Sequence, residues 1–196
     1  MPFRLILAST SRYRAELLAR LGLPFESRAP GVDEAPLDAE APPDQALRLA
    51  VAKAQAVARS IGDGLVIGSD QVAHCGGKVL GKPGQHEVAV EQLRFMRSRT
   101  THFDTALALV DAASGRIQSQ IVRVDVELRD VTDAEIESYL QREKPYDCAG
   151  SAKSEGLGIA LMERISGDDP TALVGLPLIA LVRMLRREGV PILGAS

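Results

Sequence analysis

Short apolar runs alternate with helical patterns along this chain, and this alternation most restricts its fold. The run Leu5–Ala8 is followed from Ser11 by apolar residues at helical spacing. A strong helical pattern, opened by prolines and ending at Gly62, precedes a second run, GLVIGSD, at residues 64–70. Strands that are buried on both faces have such continuous apolar sequences, and helices cover their sheets. The order of elements therefore predicts an α/β fold.

Hairpin patterns interrupt this alternation. Residues 71–84 predict a turn at Gly76–Gly77, and residues 101–130 predict two long strands joined near Ser114–Gly115. Thr132 and Glu135 have the spacing of a capping box. The last part of the chain predicts a glycine-rich loop at 146–158, a strand at 159–167 and a helix at 176–189. Because hairpin strands are antiparallel, we expect a mixed sheet.

The composition disfavours several classes of protein. The chain has 196 residues, a net charge of −3 and two cysteines without a CxxC pair. An acidic balance argues against binding to DNA or to an anionic membrane. No apolar stretch approaches the roughly 20 residues of a membrane span, and LILA is too short for a signal peptide. We expect one domain over residues 1–196, a cytoplasmic location, and neither a nucleic-acid nor a membrane partner; a homodimer stays open.

The start of the first helix has the residues of an anion site. Ser9 and Ser11 offer hydroxyl groups beside free backbone N–H groups, and Arg14 can donate two parallel hydrogen bonds to a phosphate. Arg12 and Arg14 oppose the helix dipole, which costs roughly 0.3–1 kcal/mol each unless an anion is present. The alternative is that Ser11 only caps the helix and that both arginines are solvated.

Two carboxylates are candidates for a metal site. Asp70 ends the apolar strand, at the edge where open α/β sheets bind ligands. Glu34 lies earlier in the chain, in the segment VDEAP, where an ordinary exposed carboxylate is the simpler interpretation. Together they could hold a hard cation such as Mg²⁺ through oxygen ligands.

Lysines supply the opposite charge. Lys53 borders the apolar stripe of the second helix, where it either extends to water or points into a cleft. Lys82 and Lys153 lie in glycine-containing loops that permit close approach of a ligand, although such lysines are usually solvated. Cations and paired carboxylates together suit phosphoryl transfer, in which positioning and charge stabilisation provide most of the catalysis.

These segments resemble the Maf family of nucleoside triphosphate pyrophosphatases. LILASTSRYR is similar to the family's S-x-S-x-x-R signature, and VDE, a helical lysine, GSDQV, LGKP, AGSAKSEGLG and GLPLIAL follow in the family's order. The resemblance implies an elongated mixed sheet flanked by helices, in two lobes with a central cleft, similar to inosine triphosphatases. It also implies cleavage between the α and β phosphates with a divalent cation (Mg²⁺, Mn²⁺ or Co²⁺). Asp70 would be the proton acceptor and a metal ligand with Glu34, and Lys53 and Lys82 would be catalytic, binding phosphate with Ser9 and Arg14.

Three positions resemble the YceF branch of that family, which acts on 7-methyl-GTP. They are Tyr13, Gln71 and Glu155, where the branch acting on dTTP and UTP has other residues. An aromatic ring stacked on a cationic base gains about 0.5–2 kcal/mol, and an ionised carboxylate only accepts hydrogen bonds, which suits the N–H groups of guanine. The amide of Gln71 could read the guanine carbonyl or hold Glu155.

Simpler roles stay open for the same residues. Tyr13 could pack on its own lobe, Gln71 could bond only backbone, and Glu155 could pair with Lys153 or Arg164. Arg12, which has no role implied by the resemblance, is interpreted as solvated or as contacting phosphate. The competing functions are a dTTP/UTP pyrophosphatase and a non-catalytic, nucleotide-binding regulator of cell division.

Overall fold

The computed structural model describes residues 3–193 and contains a seven-stranded sheet with five α-helices. The elements in chain order are β1 (Leu5–Leu7), α1 (Arg12–Ala19), β2 (Glu26–Ser27), α2 (Pro42–Ile61), β3 (Leu65–Cys75), β4 (Lys78–Leu80), α3 (His86–Met96), β5 (Thr100–Asp111), β6 (Ile117–Leu128), α4 (Asp133–Glu143), β7 (Met162–Ser166) and α5 (Leu178–Arg187). Short 3₁₀ turns lie at Ala149–Ser151, Leu157–Leu161 and Ala172–Val174.

The sheet is mixed, as the sequence predicts. Its strand order is β2-β1-β3-β5-β6-β7, and β4 pairs with β3 outside that path. Strand β1 runs parallel to β2 and β3, with Ile6 opposite Glu26 on one side and Val66 on the other. Strands β4 and β7 run antiparallel to β3 and β6. The α/β class is therefore confirmed.

Local signals predicted two features correctly. Gly76 and Gly77 join β3 to β4 with φ values of 54° and 80°, the positive angles that a tight hairpin turn requires. Thr132 caps α4: its Oγ1 accepts from the backbone N–H of Glu135, and Glu135 Oε2 accepts from the N–H of Thr132. Turns and helix caps depend on neighbouring residues alone, and they can therefore be predicted from the sequence.

The strand predicted from residue 159 begins later. Residues Leu157–Leu161 form a 3₁₀ turn, and β7 starts at Met162. Within that turn the N–H of Ile159 donates to the carbonyl of Gly156, three residues back, and this bond curls the backbone away from an extended conformation. The glycine-rich loop likewise contains a short 3₁₀ turn, at Ala149–Ser151.

The chain divides into two compact units. The first comprises the segment ending at Gln71, Thr105–Val122 and the segment from Asp169 onward, and the second comprises Val72–Asp104 and Arg123–Asp168. Fully buried side chains fill each unit, among them Ile6, Leu18, Ile67 and Leu181 in the first and Leu93, Met96, Phe103, Ile136 and Leu140 in the second. The presence of two compact units agrees with the two lobes that the resemblance implies. The central cleft stays a prediction. None of the helices within residues 3–193 has the length and apolarity needed to cross a membrane.

Candidate active site

Lys53, Asp70 and Glu34 meet in the first unit. The Nζ atom of Lys53 lies 2.6 Å from Oδ1 of Asp70 and 2.8 Å from Oε1 of Glu34. The Lys53 and Asp70 side chains are 6% and 10% exposed, whereas that of Glu34 is 59% exposed. The ammonium group is therefore buried and paired rather than extended to water. Glu34 is an exposed carboxylate, as its local sequence indicates, and it also joins this cluster.

Gly68 allows helix α2 to approach strand β3 closely enough for this contact. A Cβ at this position would lie 2.2 Å from the carbonyl oxygen of Ala50 and 2.8 Å from the backbone nitrogen of Ala54. Gly68 and Asp70 share one face of β3, because side chains alternate along a strand. Lys53 lies between Ala50 and Ala54 on α2. The close packing of α2 on β3 therefore brings the side chains of Lys53 and Asp70 into contact.

We expect Gly68→Ala to weaken both the fold and the site. The added methyl group has no space against the α2 backbone, so the helix must shift away, at a cost of about 1–3 kcal/mol. The shift should lengthen the Lys53–Asp70 contact and lower kcat. Urea denaturation measures the stability change, and Gly81→Ala is the control, because a Cβ there meets nothing within 4 Å. Equal stability of the two variants would contradict this packing argument.

Burial governs the protonation of Asp70. Desolvation raises the pKa of its carboxyl group, and the nearby carboxylate of Glu34 acts in the same direction. The ion pair and hydrogen bond with Lys53, and the charge of Arg14, oppose this, but the pKa still lies above its ordinary value. A carboxylate with a raised pKa accepts a proton more readily, which is the property of a general base.

Arg14 is held beside this cluster by the backbone and by Ser9. Its Nε atom donates to the carbonyl of Gly175 over 2.9 Å, and Nη1 lies 3.5 Å from Oγ of the buried Ser9. Burial lowers the pKa of the guanidinium group, while the charges of Asp70 and Glu34 act in the opposite direction. Ser11 does cap α1, because its Oγ accepts from the N–H of Arg14. The capping role of Ser11 is therefore confirmed, and the anion site stays a prediction.

The loop that carries Gly175 is a part of the site that the sequence did not reveal. The carbonyl oxygen of Gly175, which accepts from Arg14, also lies 2.9 Å from Oγ of Ser69, a fully buried residue next to Asp70. The GSDQV motif contains Ser69, but nothing in it indicates a distant carbonyl as the partner. A backbone acceptor leaves no signal in a sequence.

Asp169 fixes the same loop. Its Oδ1 accepts from the backbone N–H and the hydroxyl group of Thr171, and its Oδ2 accepts from the N–H groups of Ile179 and Ala180 at the start of α5. Asp169 is 2% exposed, so this buried carboxylate is satisfied entirely by donors around the loop. It holds in place the carbonyl groups that orient Arg14 and Ser69.

Gln71 is also anchored to this loop. Its Nε2 donates to Oγ1 of Thr105 and to the carbonyl oxygens of Ala172 and Leu173, over 2.8–3.1 Å. An amide nitrogen has two hydrogens, and three acceptors already surround this one. The amide nitrogen therefore bonds two backbone carbonyls, as the simpler interpretation expects, and also a threonine hydroxyl that this interpretation omits. A role in base selection stays a prediction and would fall to the acceptor atom Oε1.

Tyr13 lies half-buried on α1, and Arg12 covers it. The guanidinium carbon of Arg12 is 4.7 Å from the centre of the ring, and Nη2 donates to the phenol oxygen over 2.7 Å. The proposed stacking face thus already carries a cation. The expectation that Arg12 is only solvated or contacts phosphate omitted this contact.

The structure places seven of the predicted residues in the first unit and two, Lys82 and Glu155, in the second. Lys82 is exposed on a loop whose Gly81 carbonyl accepts from the N–H of Gly150 and from Nε2 of Gln92. Glu155 is exposed in the glycine-rich segment. The first-unit residues are Ser9, Arg14, Glu34, Lys53, Asp70 and Gln71, and Tyr13 belongs to that unit as well.

Two carboxylates of the cluster are candidate ligands for a divalent cation. Within residues 3–193, no three His, Cys, Asp or Glu side chains converge as a ready metal site. Glu34 and Asp70 nevertheless offer hard oxygen donors that both contact a single ammonium nitrogen. Mg²⁺ is commonly bound by one or two carboxylates and completed by water and substrate phosphates. The two carboxylates fit such a cation.

Comparison with known proteins identifies the class. The family described as "Maf-like protein" matches residues 4–188, nearly the whole chain. The chain therefore belongs to the Maf family, as its motifs indicate.

Individual relatives are close in sequence. Proteins named "7-methyl-GTP pyrophosphatase" match from Thiobacillus denitrificans (60% identical over 96% of this chain and 94% of the relative), Cupriavidus pinatubonensis (58%, 98% and 96%) and Paraburkholderia xenovorans (59%, 100% and 97%). Among solved structures, the Staphylococcus aureus Ham1 protein matches with a TM-score of 0.46 and 14% identity, over 65% of this chain and 72% of that one.

Proposed function

We propose that this protein is a nucleotide pyrophosphatase that hydrolyses 7-methyl-GTP to 7-methyl-GMP and pyrophosphate. The observation that carries the proposal is the buried Lys53–Asp70 ion pair, with Glu34 in contact and Arg14 in electrostatic range. Membership of the Maf family and the names of relatives about 60% identical support the same reaction. Neither a dTTP/UTP pyrophosphatase nor a non-catalytic regulator is favoured by a specific contact.

Asp70 takes the role of proton acceptor. A water molecule attacks phosphorus, a new P–O bond forms, and the bond to the bridging oxygen between the α and β phosphates breaks. Asp70 accepts the proton that the water loses, and pyrophosphate leaves. Its raised pKa and its 2.6 Å contact with Lys53 suit a base whose orientation is fixed.

Cationic groups take the charge of the phosphates. Arg14 has a planar guanidinium group fixed by Gly175 and Ser9, which limits the entropy lost on binding. Lys53 lies next to Asp70, and Lys82, on an exposed loop of the second unit, stays a predicted phosphate-binding residue. Preorganised charges of this kind supply most of the catalysis in phosphoryl transfer.

A divalent cation would be held by Glu34 and Asp70. When bound, Mg²⁺, Mn²⁺ or Co²⁺ neutralises charge on the phosphate oxygens. Lys53 already contacts both carboxylates with its ammonium nitrogen, so oxygens of Glu34 and Asp70 lie within reach of one cationic position. A cytoplasmic location and a homodimer are further proposals from the sequence.

Base selection falls to Tyr13, Gln71 and Glu155. The ring of Tyr13 would stack on the methylated, cationic guanine once the Arg12 side chain moves aside. The carboxylate of Glu155 is exposed, so its oxygens can accept from guanine N–H groups, whereas the carbonyl oxygens of uracil would be repelled.

A nucleotide panel tests this function. We expect pyrophosphate release from 7-methyl-GTP with higher kcat/KM than from GTP, dTTP or UTP, in the presence of Mg²⁺, Mn²⁺ or Co²⁺. Glu155→Gln should lower kcat/KM for 7-methyl-GTP more than for UTP, by roughly tenfold, the effect of a lost hydrogen bond of about 1–3 kcal/mol. Glu163→Gln, an exposed glutamate on β7, is the matched control.

Two results would contradict the proposal. The 7-methyl-GTP assignment fails if wild-type protein prefers dTTP or UTP. The enzymatic assignment fails if the protein binds nucleotide in calorimetry but releases no pyrophosphate with any of the three metals.

A further inference from the structure

The segment that carries Glu155 depends on other residues for its position. We call residues 153–157 the 153–157 loop. Glu155 is exposed, and Oγ of Ser154 lies 3.5 Å from its carboxylate, at the limit of a hydrogen bond. A carboxylate that selects a base must be held in one place, because an interaction that varies in geometry discriminates poorly. The order of this loop must therefore come from its two ends.

Glu143, the last residue of α4, binds both ends of the loop. Its Oε1 accepts from Nζ of Lys153 over 2.7 Å, and its Oε2 accepts from the backbone N–H of Leu157 over 2.7 Å. The Glu143 side chain is 14% exposed, so solvent competes little for these bonds. The hydrogen bonds from Lys153 and Leu157 hold the pKa of Glu143 below its usual range, and the group stays an acceptor at neutral pH.

Gly156 shows how closely the loop lies against this carboxylate. A Cβ at residue 156 would be 2.6 Å from Oε2 of Glu143 and 2.8 Å from its carboxyl carbon. A side chain at residue 156 would therefore have to displace the Glu143 carboxylate from the loop backbone. The position of the 153–157 loop therefore depends on the position of the Glu143 carboxylate, and the reverse also holds.

Tyr139 reinforces the N-terminal end of the loop. It lies one helical turn before Glu143 and so shares its face of α4. Its buried hydroxyl accepts from the N–H of Lys153 over 3.0 Å and donates to the carbonyl of Ser151 over 3.1 Å. Burial raises the pKa of this hydroxyl above its ordinary value, so it keeps its proton and continues to donate. One face of a single helix thus fixes the segment that carries Glu155.

We propose that Glu143 is a positioning residue for base selection, which clamps both ends of the 153–157 loop and thereby fixes the carboxylate of Glu155 for contact with the substrate base. The inference rests on the proposed function. Glu143 acts through Glu155 and makes no contact with substrate itself.

The first experiment compares selectivity among variants. In Glu143→Gln the amide NH₂ faces either the Lys153 ammonium or the Leu157 N–H, donor against donor. We expect the ratio of kcat/KM for 7-methyl-GTP to that for UTP to fall roughly tenfold, with kcat for UTP little changed. Glu127→Gln, in the same unit, removes a carboxylate that binds Arg164, and should leave the ratio unchanged. A loss of stability alone would lower kcat/KM for both substrates by the same factor and leave their ratio unchanged.

A double-mutant cycle tests whether the effect passes through Glu155. Glu143→Gln combined with Glu155→Gln should have the selectivity of Glu155→Gln alone, whereas multiplicative effects would overturn the inference. Glu143→Asp keeps the charge but is one methylene shorter, so it can reach only one end of the loop and should also lose selectivity. It serves as the test if Glu143→Gln does not fold.

The two hypotheses fail in different ways. A wild-type enzyme that shows no preference for 7-methyl-GTP refutes the proposed function. A selective wild-type enzyme whose selectivity survives both Glu143 substitutions overturns only the positioning role.

Discussion

Replacement of Asp70 by asparagine should reduce kcat by about 10²–10⁴-fold, the usual contribution of general acid–base catalysis. Asparagine has the same shape and can still accept from Lys53, but it cannot take the proton of the attacking water. Pyrophosphate release at saturating substrate measures the loss, and circular dichroism should show an unchanged fold. The folded structure should persist, because asparagine still accepts the hydrogen bond from Lys53 and Glu34 still pairs with the ammonium group, although the lost buried charge should lower the free energy of unfolding.

Asp104→Asn is the matched control for this experiment. Asp104 is also a buried aspartate on a strand, 1% exposed, where it binds Arg123 and His74. It contacts none of the proposed substrate-binding residues, so its loss should reduce stability and leave kcat near the wild-type value. Asp70 would lose its proposed role if its variant retained near-normal turnover.

Replacement of Lys53 by methionine should damage both stability and activity. The side chain of Lys53 is buried between two carboxylates, and removal of one partner from a buried ion pair typically costs about 3–5 kcal/mol. Methionine fills a similar volume, so the loss of stability measures the effect of removing the charge and not the effect of opening a cavity. Activity should fall as well, because Asp70 loses the group that orients it.

The pH dependence of the stability of Lys53→Met tests whether the unpaired carboxylate of Asp70 causes the destabilisation. The folded state raises the pKa of Asp70 above its ordinary value, and the loss of Lys53 removes a group that lowers it. The folded state of the variant therefore binds more protons than the unfolded state, so its stability is greatest at low pH and falls as the pH rises through the folded pKa. Urea denaturation between pH 5 and pH 8 should show a larger decline than in the wild type.

Lys78→Met provides the comparison for Lys53→Met. Lys78 is exposed on β4, with its ammonium group 5.4 Å from the centre of the Phe95 ring. An exposed substitution usually changes stability by no more than about 0.5 kcal/mol. If Lys53→Met were no more destabilising than Lys78→Met, the buried pair would contribute little to the fold.

Local chemistry explains why much of the fold was predictable. The prolines at the start of α2, the left-handed Gly62 at its end and the Gly76–Gly77 turn each act through adjacent residues. The strand at 159–167 was misplaced at its start because a hydrogen bond to Gly156 competes with extension there. A short apolar segment gives the same sequence pattern in a 3₁₀ turn and in an extended strand.

The site was less predictable because its contacts join distant segments. Lys53 at the border of an apolar stripe is compatible with exposure or burial, and the choice depends on Gly68, in another element. The partner of Arg14 is a carbonyl of Gly175, and the partners of Gln71 are carbonyls in the same loop. Candidate residues can be read from side-chain chemistry, but backbone partners cannot.

The first unit is discontinuous along the chain, and this has a consequence for how the molecule matures. Its parts are interrupted by the segments of the second unit, and the Arg14–Gly175 hydrogen bond spans 161 positions. Contacts so remote in sequence close late, since a long stretch of chain must first lose its freedom. During synthesis, the residues of α1 and β3 are joined to the chain well before those of the loop that orients Arg14. We therefore expect the Arg14–Gly175 contact to form near the end of folding, after most of the secondary structure.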